Sequence, residues 1–227
     1  MEQIAFIVDH TYVYWNDVII ILAAAASVCF FLALYVDSWR KAAAAVIFLP
    51  FAAGSSFVLS RLAQWYFRPE SYSQLQDVWK LLVPGDMALM GAFAGCILTA
   101  AVLRLLRIVK DLPGLLDCAA VAGSLGIAAG RLSSFFDTSD RGMILPDTVK
   151  LPWAVMTVNP ISGAAENRLA VFLLQAMACG LIFLVLLGVY LGKCRKEDAQ
   201  SGDAAQMFLL FYGAVQVVLD STRYDSL

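Results

Sequence analysis

The chain has 227 residues, of which 61% are hydrophobic and 15% are charged, and its formal net charge is −2. Soluble domains are about half apolar and about a quarter charged, so this composition and the mean hydropathy of +0.75 exclude an ordinary soluble domain. The slightly acidic balance argues against a nucleic-acid-binding protein, which needs a basic face. The composition therefore predicts an all-α, polytopic transmembrane helical bundle that forms one domain over residues 1–227.

Six segments are apolar over a length that suits a membrane helix, which needs about 20 mostly apolar residues. We expect these spans at residues 18–36, 42–59, 87–103, 115–131, 169–191 and 207–219. The connection at residues 132–168 is long and contains three prolines, which favours a functional loop over a simple link. We expect it to form an ordered extracytoplasmic cap between the fourth and fifth spans.

Basic residues are dense in the short loops after the first, third and fifth spans. The positive-inside rule assigns such loops to the cytoplasm. These residues are Arg40, Lys41, Arg104, Arg107, Lys110, Lys193, Arg195 and Lys196. The N-terminus is therefore predicted to lie outside.

The five cysteines predict neither a disulfide framework nor a metal site. The sequence has no CxxC or Cys/His spacing, and His10 is its only histidine. Four cysteines lie in apolar stretches, where cysteine behaves as a small hydrophobic residue, and Cys194 lies in a basic loop. We therefore expect no metal and no cofactor.

Arg131 ends the fourth span after a run of small residues. Gly126 and Gly130 in that run form a small-xxx-small face, on which another helix can approach closely. An ionisable group at membrane depth is costly and by default indicates a functional site. An arginine at a helix end can also reach water or lipid phosphate without a specific task, so both interpretations of Arg131 remain open.

The segment at residues 117–142, DCAAVAGSLGIAAGRLSSFFDTSDRG, resembles the signature of the prolipoprotein diacylglyceryl transferase family. That signature reads D-x-x-A-P-x-x-x-x-G-x-x-x-G-R-x-G-N-F-x-N-x-E-x-x-G. Other segments are similar to further family motifs in the same order. They are MALMGAFAG at 87–95, LPWA at 151–154, RLAVFLLQA at 168–176 and YGAVQVVLDSTR at 212–223. The chain is thus identified as a divergent member of this family.

The resemblance implies transfer of a diacylglyceryl group from phosphatidylglycerol, or a related phospholipid, to the lipobox cysteine thiol of a prolipoprotein signal peptide. It also implies a bacterial cytoplasmic (inner) membrane protein. The catalytic candidates are Arg131, which the resemblance implies, and Asp137, Asp140 and Asp220, which could replace a base that this sequence lacks. The implied lipid- and phosphate-binding residues are Arg131, Gly130, Ser134, Gly142, Arg168, Gln216, Arg223, Met90 and Gly91.

The sequence departs from the family pattern at several polar positions. The histidine of the family's H-G-G motif falls at Met90, which cannot act as a base, and the asparagine of G-N-F falls at Ser134. The glutamate of R-H-P-x-Q-L-Y-E falls at Gln175, and the arginine that follows Y-G-x-x falls at Gln216. The retained cations are Arg131, Arg168 and Arg223. The cations that could bind phosphate are thus partly retained, whereas the histidine expected to take up a proton is missing.

Three functions remain open. In an active transferase, Arg131 holds the lipid phosphate and Asp137, Asp140 or Asp220 replaces the lost base. A relative could instead bind lipid or lipopeptide without transfer, or a small transporter could use the same charges as a polar pathway. The register of the motifs argues against the transporter. Because the family carries another membrane helix after its last arginine motif, we also expect a seventh span beyond Leu227.

Overall fold

The computed structural model describes residues 4–8, 11–67, 88–136, 142–146, 152–158, 165–194 and 202–221. Most of this described part of the chain is α-helical, which confirms the all-α membrane class. The chain forms two compact units. One contains residues 1–31 and 117–227, and the other contains residues 32–116.

Six helices are present in the described part of the chain. In chain order they are α1 (Trp15–Tyr35), α2 (Trp39–Phe67), α3 (Leu89–Leu105), α4 (Leu112–Arg131), α5 (Val171–Cys194) and α6 (Asp203–Asp220). Helices α1, α2 and α5, and α4 together with the 3₁₀ turn that follows it, are long and apolar enough to cross a membrane. Helices α3 and α6 are shorter, with 17 and 18 residues.

Helix α2 continues to Phe67, beyond the predicted end of the second span at residue 59. The prediction ends that span before Arg61, because a charged side chain is costly in a bilayer. In the structure Arg61 is only 1% exposed, and its guanidinium lies 5.8 Å from the ring centroid of Phe57. A cation over an aromatic face offsets part of the cost of desolvation, so the helix can continue through this position.

The unit of residues 32–116 depends on close packing between α2 and α3. A Cβ atom added at Gly95 would lie 2.5 Å from the Cα atom of Ser56, and one added at Gly91 would overlap the backbone of Leu59. The Ser55 hydroxyl donates a hydrogen bond to the Gly95 carbonyl at 2.9 Å. Two glycines four residues apart therefore form the small-residue face that is typical of close membrane helix pairs.

In the other unit, α4 packs against α1 at Gly126. An added Cβ atom at Gly126 would lie 2.9 Å from the Cβ atom of Ser27, and the Ser27 hydroxyl donates a hydrogen bond to the Ala122 carbonyl at 2.8 Å. Gly130 differs, because no atom of the described residues lies within 4 Å of an added Cβ. The small-xxx-small face is thus a close helix contact at Gly126 and open at Gly130.

The start of α6 is held by a carboxylate on α4. Asp117 is 3% exposed, and its two oxygens accept hydrogen bonds from the backbone N–H groups of Gly202 (2.7 Å) and Ala205 (2.9 Å). The first N–H groups of a helix have no partner within the helix and form its positive end. Gly202, at the N-cap, has no side chain to bind them. Helix α4 therefore supplies the cap that α6 lacks locally.

Two β-hairpins complete the described part of the chain. The strands are β1 (Ile4–Val8), β2 (Thr11–Tyr14), β3 (Ala154–Val158) and β4 (Ala165–Leu169), and each hairpin is antiparallel. Strand β4 is paired on both edges, because Gly142 donates its N–H to the Leu169 carbonyl (2.8 Å) and Leu145 donates to the Asn167 carbonyl (2.7 Å). The sequence predicts a cap here but no strands, since strands of five residues without strict alternation leave a weak pattern.

Candidate active site

Four polar side chains meet where the end of α4 faces α5 and α6. The guanidinium of Arg131, the last residue of α4, donates a hydrogen bond to the Tyr212 hydroxyl on α6. Gln175 on α5 donates from Nε2 to the Tyr212 hydroxyl (3.4 Å) and to Oε1 of Gln216 (3.0 Å). These four residues, Arg131, Gln175, Tyr212 and Gln216, are called the polar cluster below.

The directions of the helices explain why these residues meet. Asp117, near the start of α4, caps the start of α6, so the later parts of α4 and α6 lie at the same end of the unit. Helix α5 begins at that end, where Gln175 belongs to its early turns. Tyr212 and Gln216 are four residues apart and therefore lie on one face of α6.

The polar cluster is shielded from solvent. Gln175 is 0% exposed and Tyr212 is 3% exposed, whereas Arg131 and Gln216 are half-buried. Oε1 of Gln175 is buried and accepts no hydrogen bond from the described residues. A buried polar atom without a partner costs about 1–3 kcal/mol, so this amide is not there for packing alone.

The residues on either side of Arg131 are packed differently. Gly130 has no described atom of another part of the chain within 4 Å of an added Cβ. Ser134 is buried in the 3₁₀ turn that follows, and the next residue, Phe135, packs edge-on against Phe172 with ring centroids 4.7 Å apart. The aromatic contact fixes the turn to α5 and so fixes the direction in which the chain leaves Arg131.

The polar cluster is suited to holding negative charge. Arg131 offers a permanently charged guanidinium, and charge-assisted hydrogen bonds to phosphate are among the strongest in proteins. Tyr212, Gln175 and Gln216 add neutral hydroxyl and amide groups. None of the four side chains is a carboxylate or an imidazole, so the polar cluster itself offers no ordinary proton acceptor.

Two other predicted phosphate-binding residues in this unit have partners in the cap. Arg168 is paired with Glu166, whose Oε2 atom lies 3.1 Å from Nη2 and 3.2 Å from Nε of the arginine. The backbone N–H of Gly142 donates a hydrogen bond to the Leu169 carbonyl. Arg168 is thus engaged by a carboxylate rather than by the polar cluster, and its binding to phosphate stays a prediction.

Met90 and Gly91 lie at the start of α3, in the unit of residues 32–116. The Met90 side chain is 67% exposed. Gly91 faces the backbone of Leu59 so closely that packing alone accounts for a glycine there. A role for either residue in binding lipid stays a prediction.

Comparison with known proteins agrees with the motifs. The sequence profile of the prolipoprotein diacylglyceryl transferase family matches residues 3–227. The chain belongs to this family. The family and the four long apolar helices support a bacterial integral membrane protein.

Three curated relatives bear the name phosphatidylglycerol–prolipoprotein diacylglyceryl transferase. The one from Finegoldia magna is 27% identical over 179 residues, which cover 79% of this chain and 64% of that protein. Those from Pseudomonas syringae pv. syringae and Janthinobacterium sp. are 32% identical over 152 residues and 30% identical over 168 residues. These alignments cover 65% and 72% of this chain, and 50% and 58% of the relatives. The chain therefore spans half to about two thirds of the length of the curated relatives that it matches.

Several diacylglyceryl transferase positions predicted for the site are not placed by the structure. Asp137, Asp140 and Arg223 lie outside the described residues, as does the side chain of Asp220, the last residue of α6. Conversely, Gln175 and Tyr212 are absent from the predicted site. Two signals could have found them. Both residues fall on polar positions of the family motifs, and a polar side chain inside an apolar membrane helix needs a partner or a task.

Proposed function

We propose that this chain transfers a diacylglyceryl group from phosphatidylglycerol to the cysteine thiol of a prolipoprotein signal peptide. The relatives that it matches carry this activity in their names. In the transfer, the thiolate sulfur forms a bond to the glyceryl carbon, and the bond between that carbon and the phosphate oxygen breaks. The phosphate leaves as glycerol 1-phosphate and takes the bonding electron pair with it.

Arg131 carries this proposal. Arg131 ends α4, and its guanidinium is hydrogen-bonded to the Tyr212 hydroxyl. Negative charge grows on the phosphate as the carbon–oxygen bond breaks, and a preorganised cation in a site with little water stabilises that charge most strongly. We assign supporting contacts with the lipid to six residues near Arg131 in sequence or in its unit: Gly130, Ser134, Gly142, Arg168, Gln216 and Arg223. Met90 and Gly91 belong to the unit of residues 32–116 and are separate candidates for a contact with lipid.

The proton of the attacking thiol needs a different group. A thiol reacts as its thiolate, so a base must take the proton, and Met90 cannot do so. We assign this step to a carboxylate, from Asp137, Asp140 or Asp220. Each lies a short distance along the chain from a residue of the polar cluster, because Asp137 and Asp140 follow Arg131 and Asp220 follows Gln216.

A family relative that binds lipid or lipopeptide without transfer is the second candidate. The observation that favours it is the replacement of the family's histidine by Met90 and of its arginine by Gln216. Both candidates share the phosphate site, and they differ in whether a thioether product forms.

The proposed orientation places the N-terminus outside and the polar cluster near the outer surface of the cytoplasmic membrane. The support is the density of Lys and Arg in the loops after the first, third and fifth spans. Arg131 ends α4, at the opposite end from the basic connection before that helix. The prolipoprotein cysteine would meet the lipid there.

Lipid binding tests the role of Arg131. Arg131→Ala should weaken binding of phosphatidylglycerol about tenfold or more, because a hydrogen bond to a charged group contributes about 1.5–3 kcal/mol. Binding of uncharged diacylglycerol should change little. Arg40→Ala removes the same charge from an exposed position at the start of α2 and serves as the matched control. Equal losses for both lipids would remove the phosphate role from Arg131.

Complementation tests the transfer itself. The full-length protein is expressed in cells depleted of their own diacylglyceryl transferase, and lipoprotein modification is followed by gel mobility and mass. A diacylglyceryl group on the lipobox cysteine supports an active transferase in which another residue replaces the lost histidine. Absence of modification, with the protein present in the membrane, supports the binding-only relative.

A further inference from the structure

We infer that Gln175 and Gln216 are positioning residues for the lipid phosphate: their amide–amide hydrogen bond holds Tyr212, and through it Arg131, in the orientation that receives the head group. This inference rests on the proposed phosphate binding by Arg131. It gives a task to two neutral side chains of apolar helices, of which Gln175 is fully buried.

The hydrogen bonds form a continuous chain across three helices. Nε2 of Gln175 carries two N–H groups, and the structure directs one to Gln216 and the other to Tyr212. The Tyr212 oxygen also accepts the hydrogen bond from Arg131. A phenol oxygen has two lone pairs and can therefore accept from both donors. The guanidinium on α4 is thereby linked through Tyr212 on α6 to the amide of Gln175 on α5, and from that amide to Gln216 on α6.

Burial makes these contacts hard to replace. Gln175 is 0% exposed, so water cannot take over the hydrogen bonds of its amide. Hydrogen bonds in such a low-dielectric environment are stronger than in water. Oε1 of the same amide accepts no hydrogen bond from the described residues, and this unsatisfied acceptor destabilises the folded state. An apolar side chain of similar size would avoid that cost, so the value of Gln175 lies in the two hydrogen bonds that it donates.

The neutrality of the pair matters as much as its geometry. An acidic group at position 175 would lie beside Tyr212 and within the reach of the Arg131 charge, where it would compete with a phosphate for that charge. An amide fixes Tyr212 without supplying negative charge. The amide pair therefore adds no negative charge that would compete with an anionic head group at Arg131.

The direction of the hydrogen bond provides the test. Gln175 donates and Gln216 accepts across 3.0 Å. Gln175→Glu turns the donor into a pure acceptor of the same size, and Gln216→Arg turns the acceptor into a pure donor. The double variant reverses the bond, restores the pair and leaves the summed charge of the polar cluster unchanged.

The experiment measures the affinity for phosphatidylglycerol relative to phosphatidylcholine with the same acyl chains, by native mass spectrometry of the full-length protein. Gln175→Glu should lower this ratio about tenfold, as expected for a competing charged hydrogen bond. Gln175→Glu/Gln216→Arg should return the ratio to within about threefold of the original. Gln216→Arg alone should not raise the ratio; a rise would mean that the new cation itself binds the head group and would overturn the positioning role. The matched control is Gln175→Glu/Gln206→Arg, which adds the same charge at an exposed position near the start of α6 and should not restore the ratio.

Failure of the inference can be separated from failure of the proposed function. If Arg131→Ala lowers the ratio but the reversed pair does not restore it, or Gln206→Arg restores it equally well, the positioning role is wrong and the phosphate site stands. If Arg131→Ala leaves the ratio unchanged, the proposed phosphate site is wrong. The positioning role is then also wrong, because it depends on that site. Gln175→Met removes the donors without adding charge, and a folded Gln175→Met variant with an unchanged ratio would also overturn the inference.

Discussion

The carboxylate of Asp117 should contribute substantially to stability, because it caps a helix other than its own. Asp117→Ala removes the acceptor of two backbone hydrogen bonds at the start of α6, at 2.7 and 2.9 Å. Hydrogen bonds to a charged group contribute about 1.5 kcal/mol or more each, so the loss should be about 3 kcal/mol. Asp117→Asn keeps one acceptor oxygen and loses the charge at the helix N-terminus, so about half of that loss is expected.

Thermal unfolding in detergent measures this effect. For a chain of this size, a loss of about 3 kcal/mol lowers the unfolding midpoint by about 6–12 °C. The control is Asp37→Asn, an exposed acid whose Oδ2 lies 2.6 Å from Nζ of Lys41. The hydrogen bond from Lys41 holds the pKa of Asp37 below its ordinary value, but the pair is solvent-screened and its loss should leave the midpoint unchanged. A midpoint for Asp117→Ala equal to that of Asp37→Asn would refute the cap.

Three further predictions concern helix packing and topology. Gly95→Ala should destabilise the protein by about 3 kcal/mol, because the added Cβ would overlap the backbone of α2, which cannot move away. An unchanged unfolding midpoint would contradict the close packing of α2 against α3. Gly126→Ala should cost about 1 kcal/mol against Ser27, whereas Gly123→Ala, with nothing within 4 Å, should be neutral or stabilising. An impermeant thiol reagent should miss Cys194 in intact cells, and prompt labelling there would reverse the predicted orientation.

Two departures from the family pattern meet in space. The family's glutamate falls at Gln175 and its arginine at Gln216, and these side chains are hydrogen-bonded at 3.0 Å. Loss of one member of a buried ion pair leaves an uncompensated charge and typically costs about 3–5 kcal/mol. Replacement of both by amides avoids that cost and keeps a hydrogen bond.

The sequence was sufficient to predict the helices, because stretches that are apolar all round indicate membrane helices by length alone. It could not predict where α2 ends, since the burial of Arg61 depends on how α2 packs. The strands of the cap were also not predicted, because pairing between β4 and residues 142–145 is a non-local contact. In these cases a partner distant in sequence decides the structure.

The candidate site was predicted in part. Arg131 was identified from its place after a glycine-rich run and from the family signature. Tyr212 and Gln175 were not, because no local pattern shows that residues 37 positions apart share a hydrogen bond. The role of Asp117 as a cap for α6 could not be predicted for the same reason, because Gly202 and Ala205 lie 85 and 88 positions away in sequence.

The pairing of β3 with β4 has a consequence for chain entropy. Val158 and Ala165 end the ladder opposite each other, so the ends of the connection between them are held together whatever its length. The entropy of closing a loop grows only with the logarithm of its length, by about 0.6 kcal/mol for each doubling. Insertions between Val158 and Ala165 should therefore be tolerated, and a reporter or epitope placed there would leave α4, α5 and the polar cluster in register.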